Sequence, residues 1–542
     1  MISNVAPENA LRHFYPDIAG FRDCQREAID RLWKGESTLL LMPTGMGKSL
    51  AYQLPVLASG KVGVVISPLI ALMQQQAANL IQSGANVLSL GGATDARQAQ
   101  DQLKKFRWDS GAGFLFVSPE RMETDGYIEY LLSKHRSRIS LLAIDESHCI
   151  SQWGHDFRPP YKCLPGVFDR SFGRDAWPTV LCLTATLDET SQGEILNDFR
   201  LNRTAIVRSE NMLRTNLDLS FTTFKDSKEK HDALEVLLEE HRGEKVIVYA
   251  HRIKSKANGT RALSAYFEQL GHRCKPFDAA LSLREKDETI SAFQTGEIDV
   301  VFATGAFGMG VDIPDIRGVV HYLLPESIEQ YYQEVGRAGR DQKPAFGRLL
   351  YCNSNGRIQR EMIESALREP TQIEEVWNSL FDSVSSDLKS INPWTEFQGK
   401  EDEYALFYAF VHLGAIKVLA RGPAWLKPLS AVSEDARNFL RSLSSATRTG
   451  SIARAIRKLG LDPQAVSEEI FRRYDSSEIK LTGSLDKTIY FRTRQLRTEE
   501  AESISEKISK VVESRLNRFD EFLGLVETKS DPTTALAEKF GG

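Results

Sequence analysis

The sequence predicts two tandem α/β units, each built on a parallel sheet, followed by a mainly helical C-terminal region. Three observations carry that expectation. Short apolar runs recur over the first 352 residues, with helical stretches between them. The runs are continuous rather than alternating, as in strands covered on both faces. The pattern lapses into polar residues near Arg203–Leu217, which splits the runs into two series.

In chain order, the first series is Leu39–Met42, Val62–Ile66, Phe114–Val117, Leu141–Ile144 and Val180–Leu183. The second is Leu217–Phe221, Val246–Tyr249, Val300–Ala303, Val319–Leu323 and Leu349–Cys352. After about Ser354 the pattern turns helical, over 357–390, Tyr404–Leu413 and Ser451–Tyr474. Two hairpins are expected: Ala415–Leu429 around Gly422-Pro423, and Ile479–Arg492 around Thr482-Gly483-Ser484. Helix-then-hairpin segments of this kind suit winged-helix-like units, and Tyr490 and Phe491 in the second hairpin fit either a core or a strand-separating wedge. A long amphipathic helix is expected over 498–527, with Ile504, Ile508, Val511, Val512, Leu516, Phe519 and Leu523 near helical spacing.

A chain of 542 residues is too long for one core and divides into several domains. Apolar residues at 42% and charged residues at 26% exclude a disordered or collagen-like chain. No apolar run is long enough for a membrane span. The N-terminus lacks the basic and apolar regions of a secretory signal. Six scattered cysteines without a C-x-x-C pair read as reduced thiols of a cytoplasmic protein, with no structural zinc. The net charge of −5 gives no global case for nucleic acid. Residues 437–497 nevertheless hold 13 Lys/Arg against 6 Asp/Glu, either a contact for a duplex backbone or a solvated helical face.

The strongest local signal is MPTGMGKS, residues 42–49, directly after a buried strand. Gly45 and Gly47 let the backbone turn its N–H groups toward phosphate oxygens. Lys48 brings a cation to the β/γ-phosphates and the Ser49 hydroxyl is placed for Mg²⁺. Thr44 and Met46 complete the loop. LLAIDESH, residues 141–148, ends another apolar strand in two carboxylates. Asp145 suits a Mg²⁺ ligand and Glu146 a general base for the attacking water. QEVGRAGRD, residues 333–341, offers Gln333, Arg337 and Arg340, with the two guanidiniums three positions apart and available to a γ-phosphate.

Together these residues resemble the RecQ helicases of helicase superfamily 2, over roughly residues 11–352. The most diagnostic stretch is CISQWGHDFRPPY, residues 149–161; FRDCQ, SPLIALM, LTAT, FATGAFGMGVDIP and YYQEVGRAGRD agree with it. The resemblance implies two RecA-like domains: an ATP-binding domain at 1–207, a second helicase domain at 208–354, and an accessory region at 355–542. It implies that Arg22 and Gln25 contact adenine. It assigns Trp153, Phe157 and Arg158 to single-stranded DNA, with Thr304 beside them, and puts Gly308 and Asp312 at the cleft. Thr184 and Thr186 would link hydrolysis to domain movement. The implied cofactors are ATP and Mg²⁺. The implied activity is 3′-to-5′ translocation on single-stranded DNA and unwinding of partly duplex DNA, in repair, recombination or antiviral defence. The alternative is a translocase or remodelling subunit that does not separate strands, with protein partners held by the C-terminal region.

The sequence departs from the family pattern in four places. Ser147 replaces the usual Ala. Phe277-Asp278-Ala279-Ala280-Leu281 stands where His-Ala-Gly-Leu is usual. Thr215 replaces a Pro, and the four-cysteine zinc module is missing.

Overall fold

A computed structural model describes residues 5–540, apart from 23, 44, 69, 92–95, 151–158, 186–188, 210–212, 251–258, 308–312, 382–387, 426–427, 446–450 and 482–487. The first lobe is a seven-stranded sheet. Its strands are β1 (Thr38–Leu41), β2 (Val62–Ile66), β3 (Asn86–Leu90), β4 (Gly113–Val117), β5 (Ile139–Ile144), β6 (Thr179–Thr184) and β7 (Ile206–Arg208). They run in the order β3-β4-β2-β5-β6-β1-β7, every pair parallel. The apolar runs predicted from sequence form the sheet's interior. Strands β1, β2 and β4 are buried at every position because helices cover both faces.

The second lobe is a six-stranded parallel sheet in the order β10-β11-β9-β12-β13-β8. Its strands are β8 (Leu217–Thr223), β9 (Lys245–Tyr249), β10 (Cys274–Phe277), β11 (Val300–Ala303), β12 (Ile316–His321) and β13 (Ala345–Tyr351). Strands β3, β7 and β10 were absent from the sequence expectation. All three are sheet edges. Such a strand packs against a neighbour on one side only, so β3 alternates rather than running apolar throughout.

The accessory region corrects the two hairpins. Strand β15 (Ile416–Gly422) does not pair with β16 (Pro428–Ala431), and β17 (Ile479–Leu481) does not pair with β18 (Thr488–Thr493). The strands pair crosswise instead. Strand β15 runs antiparallel to β18, β16 antiparallel to β17, and β14 (Lys389–Ile391) adds to the far side of β18. The pairing is made between segments some 60 residues apart, and Thr482-Gly483-Ser484 lie outside the described residues. Tyr490 and Phe491 are buried in this sheet and are core.

The region is rooted in both lobes. The helix Thr498–Glu527 buries Ile504, Ile508, Val512, Phe519 and Phe522, with Phe522 against Phe221 and Tyr331 of the second lobe at ring separations of 5.8 Å each. Arg515 of that helix pairs with Glu326 at 2.6 Å. On the first lobe, Phe471 and Tyr474 of the helix Pro463–Asp475 pack on Tyr127 and Tyr130. Beside them the buried Arg421 pairs with Glu123 at 2.6 Å. Among the described residues no helix is long and apolar enough to cross a membrane.

Candidate active site

The site forms at the C-terminal ends of the first lobe's strands, where ligands bind in open parallel sheets. Strand β1 delivers the phosphate loop, and the helix Leu50–Ser59 leaves from it. Gly47 sits at φ +84°, which L side chains rarely adopt, and a Cβ there would lie 2.9 Å from the Gln25 amide nitrogen. That nitrogen donates to the carbonyls of Met46 and Gly47, each at 3.0 Å, while Gln25 Oε1 accepts from the Arg22 backbone N–H at 2.7 Å. Gln25 thus braces the loop from behind in this structure.

Two features of the loop invite a phosphate. Lys48 Nζ is buried with no hydrogen-bond partner among the described residues. A buried ammonium with no hydrogen-bond acceptor is costly, and an anionic ligand removes the cost. The Ser49 hydroxyl does not cap the helix it precedes, so its lone pairs remain available.

The two carboxylates follow β5. Asp145 accepts from the Ser67 hydroxyl at 3.2 Å and from the Glu146 backbone N–H at 3.1 Å. Burial, then the charge of Glu146, raises the Asp145 carboxyl to about 6, and Lys48 partly opposes this. A buried carboxylate under such pressure is suited to a cation. Among the described residues no cluster of three or more His, Cys, Asp or Glu could hold a metal. A magnesium ion would be held by Asp145 and Ser49, with oxygens of the nucleotide completing the mixed coordination Mg²⁺ favours. Glu146 takes a left-handed backbone, φ 49°, a strained conformation that the strand end imposes. Its carboxylate lies 3.3 Å from His148 Nδ1, which in turn lies 3.0 Å from the Thr184 hydroxyl. Tyr161 donates to the Asp145 carbonyl at 2.7 Å and Ser147 to the Leu183 carbonyl at 3.2 Å. Ser147 therefore uses its extra hydroxyl to tie β5 to β6.

The second lobe supplies cations. The helix Ile328–Val335 ends in a turn carrying Arg337 and Arg340. A Cβ built on Gly45 would lie 3.6 Å from Cγ of Arg340, so this arginine's stem crosses onto the phosphate loop of the other lobe. Arg337 is buried beside Tyr249, whose hydroxyl is pushed up to about 12 by burial, partly offset by that guanidinium. Gln333 is half-buried on the same helix. Thr304 follows β11 and donates its backbone N–H to the Phe277 carbonyl at 3.1 Å.

Lys48, Ser49, Asp145, Glu146 and Arg340 are thus brought to one cleft, with Gly45, Met46 and Gly47 as its floor. Thr44, Trp153, Phe157, Arg158, Thr186, Gly308 and Asp312 lie outside the described residues. Asp278, the carboxylate that departs from the family pattern, has its side chain fully buried. It accepts from Arg261 Nε at 3.0 Å and from the Ala280 N–H at 2.9 Å. Its charge is neutralised internally. Sequence reasoning missed Ser67, His148, Tyr161 and Tyr249 as site residues, although the first three stand inside motifs it had quoted.

A phosphate loop facing arginines across two parallel-sheet lobes defines a nucleoside triphosphatase of the two-lobed helicase class. Residues 22–194 match the DEAD/DEAH box helicase family and residues 229–342 the helicase conserved C-terminal domain. Solved structures agree at the level of fold. Mss116p bound to single-stranded RNA and AMP-PNP gives a TM-score of 0.53 at 18% identity, covering 74% of this chain and 85% of that one. The helicase MrfA bound to DNA and AMPPNP gives 0.51 at 20% identity, covering 65% and 50%.

Curated relatives narrow the class. The probable ATP-dependent DNA helicase RecS of Bacillus subtilis is 33% identical, over 66% of this chain and 69% of its own length. The ATP-dependent DNA helicase RecQ of Pasteurella multocida is 36% identical over 61% and 50%. The ATP-dependent helicase wrn-1 of Caenorhabditis elegans is 34% identical over 69% and 34%. The chain belongs to the RecQ family of ATP-dependent DNA helicases. It spans half or less of the length of the last two relatives.

Proposed function

We propose that the protein is an ATP- and Mg²⁺-dependent DNA helicase that moves 3′-to-5′ on single-stranded DNA and unwinds duplex. The observation that carries this reading is the meeting of cations from two lobes at one loop, with Lys48 Nζ buried and without a hydrogen-bond acceptor among the described residues in the first and Arg340 reaching over Gly45 from the second. A triphosphate is the ligand whose charge needs both.

In this mechanism Lys48 and the loop N–H groups hold the phosphates, and Arg22 with Gln25 serves the adenine side. When bound at Ser49 and Asp145, magnesium supplies charge neutralisation between phosphate oxygens. Glu146 takes the proton of the attacking water. Arg337 and Arg340, with Gln333 behind them, neutralise the charge that grows on the departing phosphoryl group. Once that charge has gone, the arginines lose their partner and the lobes part. Gly308 and Asp312 would line the same cleft. Trp153, Phe157 and Arg158 would sense the strand by stacking on bases and pairing a phosphate, and Thr304 would touch it from the second lobe.

The domain bounds we propose are 1–207, 208–354 and 355–542, with the first carried on to Arg208 because β7 closes the first lobe's sheet. A duplex contact rests on the helix Ile452–Leu459. Arg454, Arg457 and Lys458 are exposed there and carry no ion pair among the described residues, and Trp425 stands half-exposed beside its first turn. Much of the remaining positive charge of 437–497 is matched locally: Arg437, Arg472, Arg473, Arg494 and Arg497 pair with Glu434, Asp435, Glu469, Glu478 and Glu500. A cytoplasmic setting and a role in DNA repair or recombination fit the free thiols and the family.

One observation favours the alternative, a translocase or remodelling subunit. Tyr490 and Phe491 are core, so the aromatic pair of the expected second hairpin is not a wedge. The test is the ATPase rate titrated with single-stranded DNA, duplex and RNA at stated salt, with unwinding of a 3′-tailed duplex alongside. Stimulation by single-stranded DNA together with strand separation supports the helicase. Stimulation without separation supports the translocase. A rate indifferent to DNA overturns both.

A further inference from the structure

We infer that Arg214 and Asn216, in the segment joining the lobes, are positioning residues that hold the turn bearing Arg337 and Arg340 in its hydrolytic geometry. The inference rests on the reading of those two arginines given above.

The last carbonyls of the helix Ile328–Val335 are taken by the N–H groups of Gly336, Arg337 and Ala338, which leaves the carbonyls of the turn itself to be satisfied from outside. The joining segment fills them. The Arg214 guanidinium donates to the carbonyls of Gly336 at 3.0 Å, Ala338 at 2.9 Å and Gly339. The Asn216 amide donates to Gly339 at 2.9 Å and Lys343 at 2.8 Å. These carbonyls bracket the two arginines in sequence. Gly336 precedes Arg337, Ala338 and Gly339 separate it from Arg340, and Lys343 follows.

The clasp closes on further bonds. The Arg214 backbone N–H donates to the Tyr332 hydroxyl at 3.0 Å, the Ala345 N–H donates to the Asn216 carbonyl at 3.0 Å, and Arg214 reaches Asn216 Oδ1 at 3.2 Å. Contact at Gly339 is close, since a Cβ there would lie 2.6 Å from the Asn216 amide nitrogen. Only a planar fork with several donors can serve three neighbouring carbonyls at once. Burial lowers the pKa of Arg214, and Arg340 adds to that effect, so the cation is held there against an electrostatic cost.

The other end of the segment is tied as well. The Ser209 N–H donates at 2.9 Å to the carbonyl of Leu41, the last residue of the strand feeding the phosphate loop. One short stretch of chain therefore links the phosphate-loop strand of the first lobe to the arginine turn of the second. A displacement of about 1 Å in such a constellation can cost about 10²-fold in rate.

The test is DNA-stimulated ATPase of Arg214→Ala, Arg214→Lys and Asn216→Ala, each also combined with the pair Arg337→Ala/Arg340→Ala and followed by single-turnover kinetics. We expect each single variant to lower kcat about 10- to 100-fold, with the KM for ATP within about threefold. Lysine should fail to restore the rate. In the Arg337→Ala/Arg340→Ala background, Arg214→Ala should cost less than about twofold more, because both groups it positions are already gone. Equal losses in both backgrounds, a change confined to KM, or full rescue by lysine would each overturn the proposal. Should Arg214→Ala fail to fold by thermal melting, Asn216→Ala carries the same comparison. If Arg337→Ala alone leaves kcat unchanged, the reading of the arginines fails and this inference falls with it. If Arg337→Ala is slow while both clasp variants are fast, only the clasp is wrong.

Discussion

The two lobes share an architecture and divide the chemistry unequally. Both are parallel sheets clad in helices, and both present strand ends to the cleft. The first brings groups of both signs: Lys48 in the loop, and Asp145 and Glu146 after β5. The second brings guanidiniums, and the nearest carboxylate on its helix, Glu334, is turned away to His321 at 2.6 Å. On the proposed mechanism, one lobe binds a metal-bound polyphosphate and the other acts where negative charge is in excess. Under that proposal the unequal division would make turnover conditional on the lobes being together, which is what a motor needs and a plain phosphatase does not.

That comparison breaks most readily at Arg340. Arg340→Ala should lower kcat by about 10³-fold or more while nucleotide affinity changes little, since a charge supplied from the other lobe acts on the transition state. Steady-state ATPase and fluorescent-nucleotide titration measure the two. A loss seen only in affinity would make the second lobe a mere binding surface. Next in size is Glu146→Gln, expected to slow hydrolysis about 10²- to 10⁴-fold with ATP binding retained. Turnover within about tenfold of wild type would remove Glu146 as the base.

The lobes also differ in how the accessory region grips them. On the second, the grip is a hydrophobic seam along the helix Thr498–Glu527. Phe522→Ala, at a fully buried ring, should destabilise by about 3–5 kcal/mol, read as a shift in the urea midpoint. A smaller effect is built into the second lobe at Lys230. Burial lowers this amine from 10.5 to about 8 while it donates to the Tyr322 carbonyl and Asn355 Oδ1, each at 2.8 Å. Between those pH values the unfolded chain binds a proton that the folded chain has released, so stability should rise with pH across that window. A Lys230→Met chain should lack that slope in denaturation at graded pH. Smallest is Lys134→Met on the first lobe. Its ion pair with Asp475, at 2.5 Å, is half-exposed on the lysine side and should contribute no more than about 1 kcal/mol. A loss as large as that of Phe522→Ala would erase the contrast between seam and rim.

How much of this could be read from residues alone depends on distance along the chain. Strands buried on both faces announce themselves as apolar runs, and loop chemistry such as Gly45 to Ser49 is local, so both were readable. Strand β10, Cys274–Phe277, hides because it is a short edge carrying Pro276. The crossed pairing of β15 with β18 hides because turn residues say nothing about a partner some 70 positions away. The charge count over 437–497 could not say how much of that charge is matched, for a simpler reason. Glu434, Asp435 and Glu500 lie just beyond its ends and neutralise arginines within it. The Arg214 clasp, 122 to 125 residues from the carbonyls it holds, left no trace that spacing could detect.

The accessory region's double root has a mechanical consequence. The lobes are joined once by the connecting chain near Ser209 and Asn216, and again through a module packed into both. Two bodies fastened at two separate places cannot drift apart; they swing about the line through the fastenings, as a door does on its pins. We expect the nucleotide cycle to appear as such a swing. Spin labels flanking the cleft should change separation, while a pair spanning Tyr130 and Phe471 should hold theirs.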